Sequence, residues 1–62
     1  MMAKFELYKD TKGEFRWRLK ASNGEVIADC NEGYKSKESC THGMELVKRD
    51  AATAPVEDQT AV

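Results

Sequence analysis

"EFRWRLKASNGEVIADC", Glu14 to Cys30, decides the fold. Arg16 and Arg18 flank Trp17, the only tryptophan, and Asn23-Gly24 follows within a few residues. Phe15, Trp17, Leu19 and Ala21 fall on one face of an extended strand, and Arg16, Arg18 and Lys20 on its back. This is the period-two alternation of a sheet with one wet side. Asn23-Gly24 between strand-like residues predicts a two-residue type I′ turn, in which both central residues take positive φ. A third strand then runs from Glu25 to about Asn31.

Upstream, "AKFELYKD" (3–10) puts Phe5 and Leu7 on one face and Lys4, Glu6 and Tyr8 on the other. Thr11, Lys12 and Gly13 form a three-residue loop with glycine at the left-handed position. This loop pairs Asp10 with Glu14, setting Leu7 opposite Trp17 and Phe5 opposite Leu19. The second turn pairs Ser22 with Glu25, setting Ala21 opposite Val26, Leu19 opposite Ala28 and Trp17 opposite Cys30. On the back, Arg18 lies between Glu6 and Asp29, and Arg16 faces Tyr8. Two independent turn readings thus give one consistent sheet.

After "NEGY" comes a helix with Ser36 as N-cap, Glu38 in its first turn and Lys48 and Arg49 near its end. Cys40, Gly43, Met44, Val47 and Ala51 share its apolar face, and Glu45 and Arg49 form an i,i+4 pair. Gly43 costs about 1 kcal/mol in helix propensity relative to alanine, so a close approach of helix to sheet is expected there. The last ten residues, "TAPVEDQTAV", read by themselves as a polar tail. The expected organisation is a unit over 1–52 and a C-terminal segment over 53–62.

The chain has 62 residues, enough for one small domain. A monomer of this size buries only about 60% of its unfolded surface, so its core is marginal without a disulfide, a metal or a partner. Ten basic and eleven acidic side chains leave a net charge of −1, which predicts no general attraction to nucleic acid or an anionic membrane. "MMAKFELYKD" has no apolar export segment, and no run approaches a membrane span. The expected location is therefore the cytoplasm, where Cys30 and Cys40 stay as thiols.

Little catalytic chemistry is legible. On a helix Cys40 and His42 point about 200° apart, which argues against a metal site or thiolate–imidazole pair. His42 is expected in solvent near Glu38, and Cys40 and Cys30 on the covered face. No phosphate-cradling glycine loop, acid/base carboxylate pair or Ser-His-Asp set is present. No catalytic residue, metal ligand or cofactor is assigned. A basic, aromatic-flanked surface for single-stranded nucleic acid needs exposed rings beside its cations. The register instead turns Trp17 away from both arginines and gives Arg18 two carboxylate neighbours. Tyr8 over Arg16 adds a modest cation–π contact.

"FRWRLKASNGEVIA", "EGYKSK" and the helix residues Gly43 and Val47 closely resemble the YegP-like family of small bacterial proteins of unknown function. The resemblance runs from Phe5 to Ala51. It implies an α+β fold, a β(3)-α-β unit whose antiparallel sheet carries one helix on one face. It also implies a homodimer forming a single sheet with swapped C-terminal strands, which makes 56–60 a swapped strand followed by a disordered end. Cys30 and Cys40 stand where the family more usually shows serine, alanine or threonine. The family brings no activity, so no site is carried over.

Three functional readings follow. The leading one is a non-catalytic dimeric interaction or binding module, its partner a protein or small ligand. The second is a weak single-stranded nucleic-acid binder using Tyr8, Arg16, Arg18 and Lys20, with Lys35 and Lys37. The third is an enzyme with a site at the dimer cleft, for which Tyr34 and Lys37 are the nearest candidates.

Overall fold

Three strands and one helix follow the alternation and the capping signals, as the computed structural model describes for residues 2–60. Strands β1 (Lys4–Lys9), β2 (Phe15–Lys20) and β3 (Val26–Asp29) form an antiparallel sheet in the order β1-β2-β3. Helix α1 (Lys37–Asp50) follows and packs chiefly on β2. This is the expected α+β architecture. Residues 54–60 have no regular secondary structure in the single chain and are exposed. The strand expected over 56–60 is one formed with a partner subunit, and the expected disordered end, 61–62, lies outside the described residues.

The register of β1 on β2 is the expected one, with Phe5 opposite Leu19, Glu6 opposite Arg18 and Leu7 opposite Trp17. Asp10 N–H donates to the Glu14 carbonyl at 2.9 Å and Gly13 takes φ +82°. The three-residue loop therefore closes as read.

The second hairpin differs from the expected type I′ turn. Gly24 has φ +92°, but no non-glycine residue, Asn23 included, has positive φ. Gly24 N–H donates to the Ala21 carbonyl at 2.9 Å, and Ala21 N–H to the Glu25 carbonyl at 2.8 Å. The hairpin repeats the first: a tight turn, then a left-handed glycine. Asn23 avoids the left-handed cost of an L-residue, and its Oδ1 accepts the Glu25 N–H at 3.0 Å instead. Ala21 consequently pairs with Glu25 rather than Val26, and Lys20 with Val26.

The expected register resumes one residue on, with Leu19 opposite Ala28 and Arg18 opposite Asp29. Ile27 is the extra residue, a bulge that absorbs the mismatch. Val26, expected on the covered face, is 50% exposed, and Ile27 is 59% exposed. The strand ends at Asp29 rather than Asn31.

Beyond β3, Cys30 N–H reaches the Trp17 carbonyl at 3.2 Å. Asn31, Glu32 and Gly33 then loop out before Tyr34 exchanges two 2.8 Å backbone hydrogen bonds with Phe15. That bridge delivers the chain to Ser36, whose Oγ accepts the Ser39 N–H at 3.1 Å and caps α1. Cys40 is fully buried on the expected face. Ala51 is the exposed C-cap rather than a core residue. Glu45 pairs with Lys48 at 3.3 Å, while Arg49 turns to Asp50, so the expected Glu45–Arg49 pair is absent among the described residues.

Gly43 does mark a close approach, but to Tyr34 rather than to a named strand. A Cβ at Gly43 would lie 2.6 Å from the Tyr34 hydroxyl and 3.2 Å from Cζ. Gly43→Ala is therefore expected to lower the melting temperature despite gaining about 1 kcal/mol of helix propensity. In a Tyr34→Phe background the same substitution should cost less. Thermal melts of the four proteins check both statements, and additive losses would disprove the contact.

Candidate functional site

The outer face of the sheet is a set of paired charges. Arg18 Nε donates to Glu6 Oε1 at 2.7 Å, and Lys20 and Lys4 reach the same carboxylate at 3.5 and 3.6 Å. Arg16 Nε donates to Asp10 Oδ2 at 2.7 Å. The other Asp10 oxygen accepts the backbone N–H groups of Lys12 and Glu14, which fixes the hairpin loop. Arg18, rather than the directly opposed Arg16, stacks over Tyr8, its guanidinium carbon 4.4 Å from the ring centroid. Glu6 lies directly opposite Arg18, and the guanidinium also reaches diagonally to Tyr8, whose own opposite residue is Arg16.

These contacts set the titration of the face. The Arg18 guanidinium hydrogen-bonded to Glu6 holds its carboxyl below the usual range against the opposing effect of burial. Arg16 does the same for Asp10, helped by the Glu14 N–H. Both arginines are pushed up in turn by their carboxylate partners.

Tyr8, Arg16, Arg18 and Lys20, the residues of the nucleic-acid reading, do lie together on this face. Each arginine is already engaged by a carboxylate, and phosphate would have to displace Glu6 and Asp10 to reach them. Lys35 and Lys37 stand apart, at the entry to α1.

The opposite face is open along β1. Helix α1 covers β2, burying Trp17 to 6% exposure, but Leu7 stays 37% exposed. Leu7, Lys9 and Phe15 border a cavity of about 190 Å³ with Tyr8 and with Lys37 of α1. Lys9 Nζ sits 5.1 Å from the Phe15 centroid. Neither Lys9 nor Lys37 has a carboxylate within ion-pairing reach among the described residues. Lys9 is absent from the sequence-derived candidates, yet its odd-number parity with Phe5 and Leu7 is the signal that places it on this face.

Tyr34 and Lys37, the candidates for a catalytic cleft, take separate roles. Tyr34 packs its hydroxyl against Gly43, while Lys37 lines the open cavity. His42 is exposed and shares a shallow surface depression with Glu38. Cys30 Sγ accepts the Trp17 N–H at 3.4 Å, and burial pushes the Cys40 thiol up, with Cys30 adding to it. Among the described residues no three His, Cys, Asp or Glu side chains converge in a metal-holding arrangement, and no helix is long and apolar enough to cross a membrane.

A three-stranded antiparallel sheet with one helix packed on its central strand defines a small α+β domain. Residues 10–58 match the domain of unknown function DUF1508, and the chain belongs to that family, the same one that the YegP-like resemblance indicates. It is 56% identical over 54 residues to a UPF0339 protein of Neisseria meningitidis, covering 87% of this chain and 95% of that one. A UPF0339 protein of Stutzerimonas stutzeri is 53% identical over 51 residues, which make up 82% of this chain but only 45% of that one. The solution structure of a protein from Haloferax volcanii superposes with a TM-score of 0.82 at 44% identity, covering 92% of this chain and 95% of that one. One from Agrobacterium tumefaciens gives 0.76 at 51%, covering 95% and 94%. Relatives thus come from archaea as well as bacteria, a wider range than the bacterial one expected.

Two outcomes are expected of the outer face. Glu6 and Asp10 have depressed folded pKa values, so their contribution to stability is present above the unfolded carboxylate range and lost as pH falls through the folded values. Melting temperature should therefore fall between about pH 5 and pH 2, and Glu6→Gln/Asp10→Asn should flatten that limb. Mixed single-stranded oligonucleotides at low salt should give flat titrations. A saturable signal that weakens with salt and with Arg16→Ala would establish the nucleic-acid reading instead.

Proposed function

We propose that this chain is a homodimeric, non-catalytic interaction module of the cytoplasm, in which residues 56–60 cross to the partner subunit. The observation that carries the reading is how little the single chain buries. Trp17 and Cys40 are its only buried hydrophobic residues among those described, while Leu7, Val26, Ile27, Leu46 and Val56 are all more than a third exposed. Trp17 Nε1 is buried without an acceptor, a state that costs about 1–3 kcal/mol. Such a core does not offset chain entropy by itself.

The tail supports a crossing. α1 ends at Asp50, Pro55 prevents its continuation, and Val56 is 93% exposed. The Cα radius of gyration is 13.5 Å, against about 11 Å for a compact chain of this length. Both sheet edges, β1 and β3, are free, and a second copy that covers one removes a site of indiscriminate pairing. The Stutzerimonas stutzeri relative has room for two such units in one chain, which suits a fold that works in pairs. The further partner of the dimer is a protein or small ligand.

Folding and dimerisation are then one equilibrium, so the melting temperature should rise with protein concentration. Deleting 53–62 should leave an unstable or aggregating product. A truncated chain that remains a dimer of unchanged stability in sedimentation and thermal melts would overturn the crossing.

A further inference from the structure

We propose that the open cavity between the end of β1 and the start of α1 binds a small single-ring carboxylate, with the ring against Leu7 and Phe15 and the two oxygens between Lys9 and Lys37. The inference rests on the binding-module part of the reading above and names its ligand. It does not depend on the crossing segment.

The cavity is built around Phe15. This residue opens β2, faces Lys9 at the end of β1 in the register, and exchanges two backbone hydrogen bonds with Tyr34. Tyr34 lies three residues before Lys37, the first residue of α1, and the Ser36 cap fixes where that helix starts. One residue therefore ties together the two elements that carry the lysines. Strand pairing on one side and a capped helix on the other hold both backbones in place. A ligand then has to order little more than two side chains, which keeps the cost of binding low.

The walls carry one sign of charge. They are Leu7, Tyr8, Lys9, Phe15 and Lys37, with no carboxylate among them. Lys9 Nζ stands 5.1 Å from the Phe15 centroid, which puts a cation and an aromatic surface at one spot. Asp10, next along the chain from Lys9, is held by Arg16 and by the loop N–H groups of Lys12 and Glu14. Lys37 also borders the depression of Glu38 and His42, and makes no ion pair with Glu38 among the described residues. Lacking a carboxylate partner does not single these lysines out, since Lys12 and Lys35 lack one too. Their convergence on one partly apolar cavity does.

Size and charge then select the ligand. The volume of about 190 Å³ exceeds the roughly 150 Å³ of an apolar cavity that admits benzene. It falls short of the roughly 300 Å³ at which drug-sized sites begin. One ring with one charged group fills it. A carboxylate offers an oxygen to each ammonium, and such charge-assisted hydrogen bonds are the stronger kind. A neutral ring would leave both cations without an anion, and a ringless anion would leave the apolar wall wet.

The test titrates the full-length native chain with benzoate, read by backbone amide NMR shifts, with the association state measured by sedimentation in the same buffer. Benzoate should saturate at roughly millimolar affinity, as expected for so few atoms, with the largest shifts at Leu7, Lys9, Phe15 and Lys37. Benzamide, which is neutral, and acetate, which has no ring, should each bind at least about fivefold more weakly. Lys9→Gln/Lys37→Gln should weaken benzoate binding about tenfold. Lys12→Gln/Lys35→Gln removes two lysines outside the cavity and should leave binding unchanged. All four positions are exposed, so both variants should fold. Shifts that do not saturate, shifts spread over every lysine, benzamide binding as tightly as benzoate, or an unaffected Lys9/Lys37 variant would each overturn the site. Inorganic phosphate binding there as tightly as benzoate would overturn the ligand class. A dimer that ignores benzoate would overturn the site and leave the dimer reading standing, whereas a monomer that binds it would do the reverse.

Discussion

Burial of Trp17 is the constraint on which the domain depends. The ring lies opposite Leu7 of β1 and meets Phe5 edge-on at 5.9 Å. Its own backbone carries the link to Cys30, accepting from the Cys30 N–H and donating to the Cys30 Sγ. With α1 packed over β2, this one residue touches most of the elements that the chain can bring together. A large aromatic in a small core supplies much of the available apolar burial. Once Trp17 faces inward, the pleat turns Arg16 and Arg18 outward, register sets Glu6 opposite Arg18, and the hairpin loop brings Asp10 to Arg16. The outer ion pairs are consequences of the inner packing, and their exposure keeps their contribution modest.

The sheet was legible because its signals are local and redundant. Alternation in Phe15–Lys20 sets the face, and loop length sets the partner of each residue. The two agree at Leu7–Trp17 and Leu19–Ala28. What escaped was decided by competition between alternatives of similar energy. Asn23-Gly24 serves a type I′ turn well, but it also serves a turn in which only glycine is left-handed. The side chain of Asn23 tips the balance by accepting the Glu25 N–H. Shifting the turn by one residue would have flipped β3, and the bulge at Ile27 returns Ala28 to its place opposite Leu19, while Val26 is left 50% exposed. The Tyr34 bridge escaped for a different reason. One pair of hydrogen bonds after a three-residue loop has no period, so nothing in the pattern announces it.

The candidate site was less legible than the fold. Residues on the outer face were grouped correctly by parity, but parity does not say whether a cation is free or engaged. Register already gave Arg18 its neighbour Glu6, whereas Asp10 of the hairpin loop, the partner of Arg16, was not read from the pattern. Lys9 carries no signal beyond its parity and proves to be a cation without a carboxylate partner among the described residues, set over an aromatic ring. Gly43 was rightly read as a point of close approach, but its neighbour is set by the Tyr34 bridge and so could not be named from periodicity.

Net charge conceals this arrangement. Ten cations and eleven anions nearly cancel, and averaged over the surface they predict indifference to any charged partner. Sorted by position, they do not cancel locally. Glu6 gathers Lys4, Arg18 and Lys20, and Asp10 takes Arg16, so the outer face is satisfied internally. The charges without an ion-pair partner among the described residues are spread over the molecule: Lys9 and Lys37 border the open cavity, Lys12 and Lys35 lie outside it, and only Glu57 and Asp58 of the unpaired carboxylates belong to the C-terminal segment, the others being Glu14, Glu25, Asp29, Glu32 and Glu38.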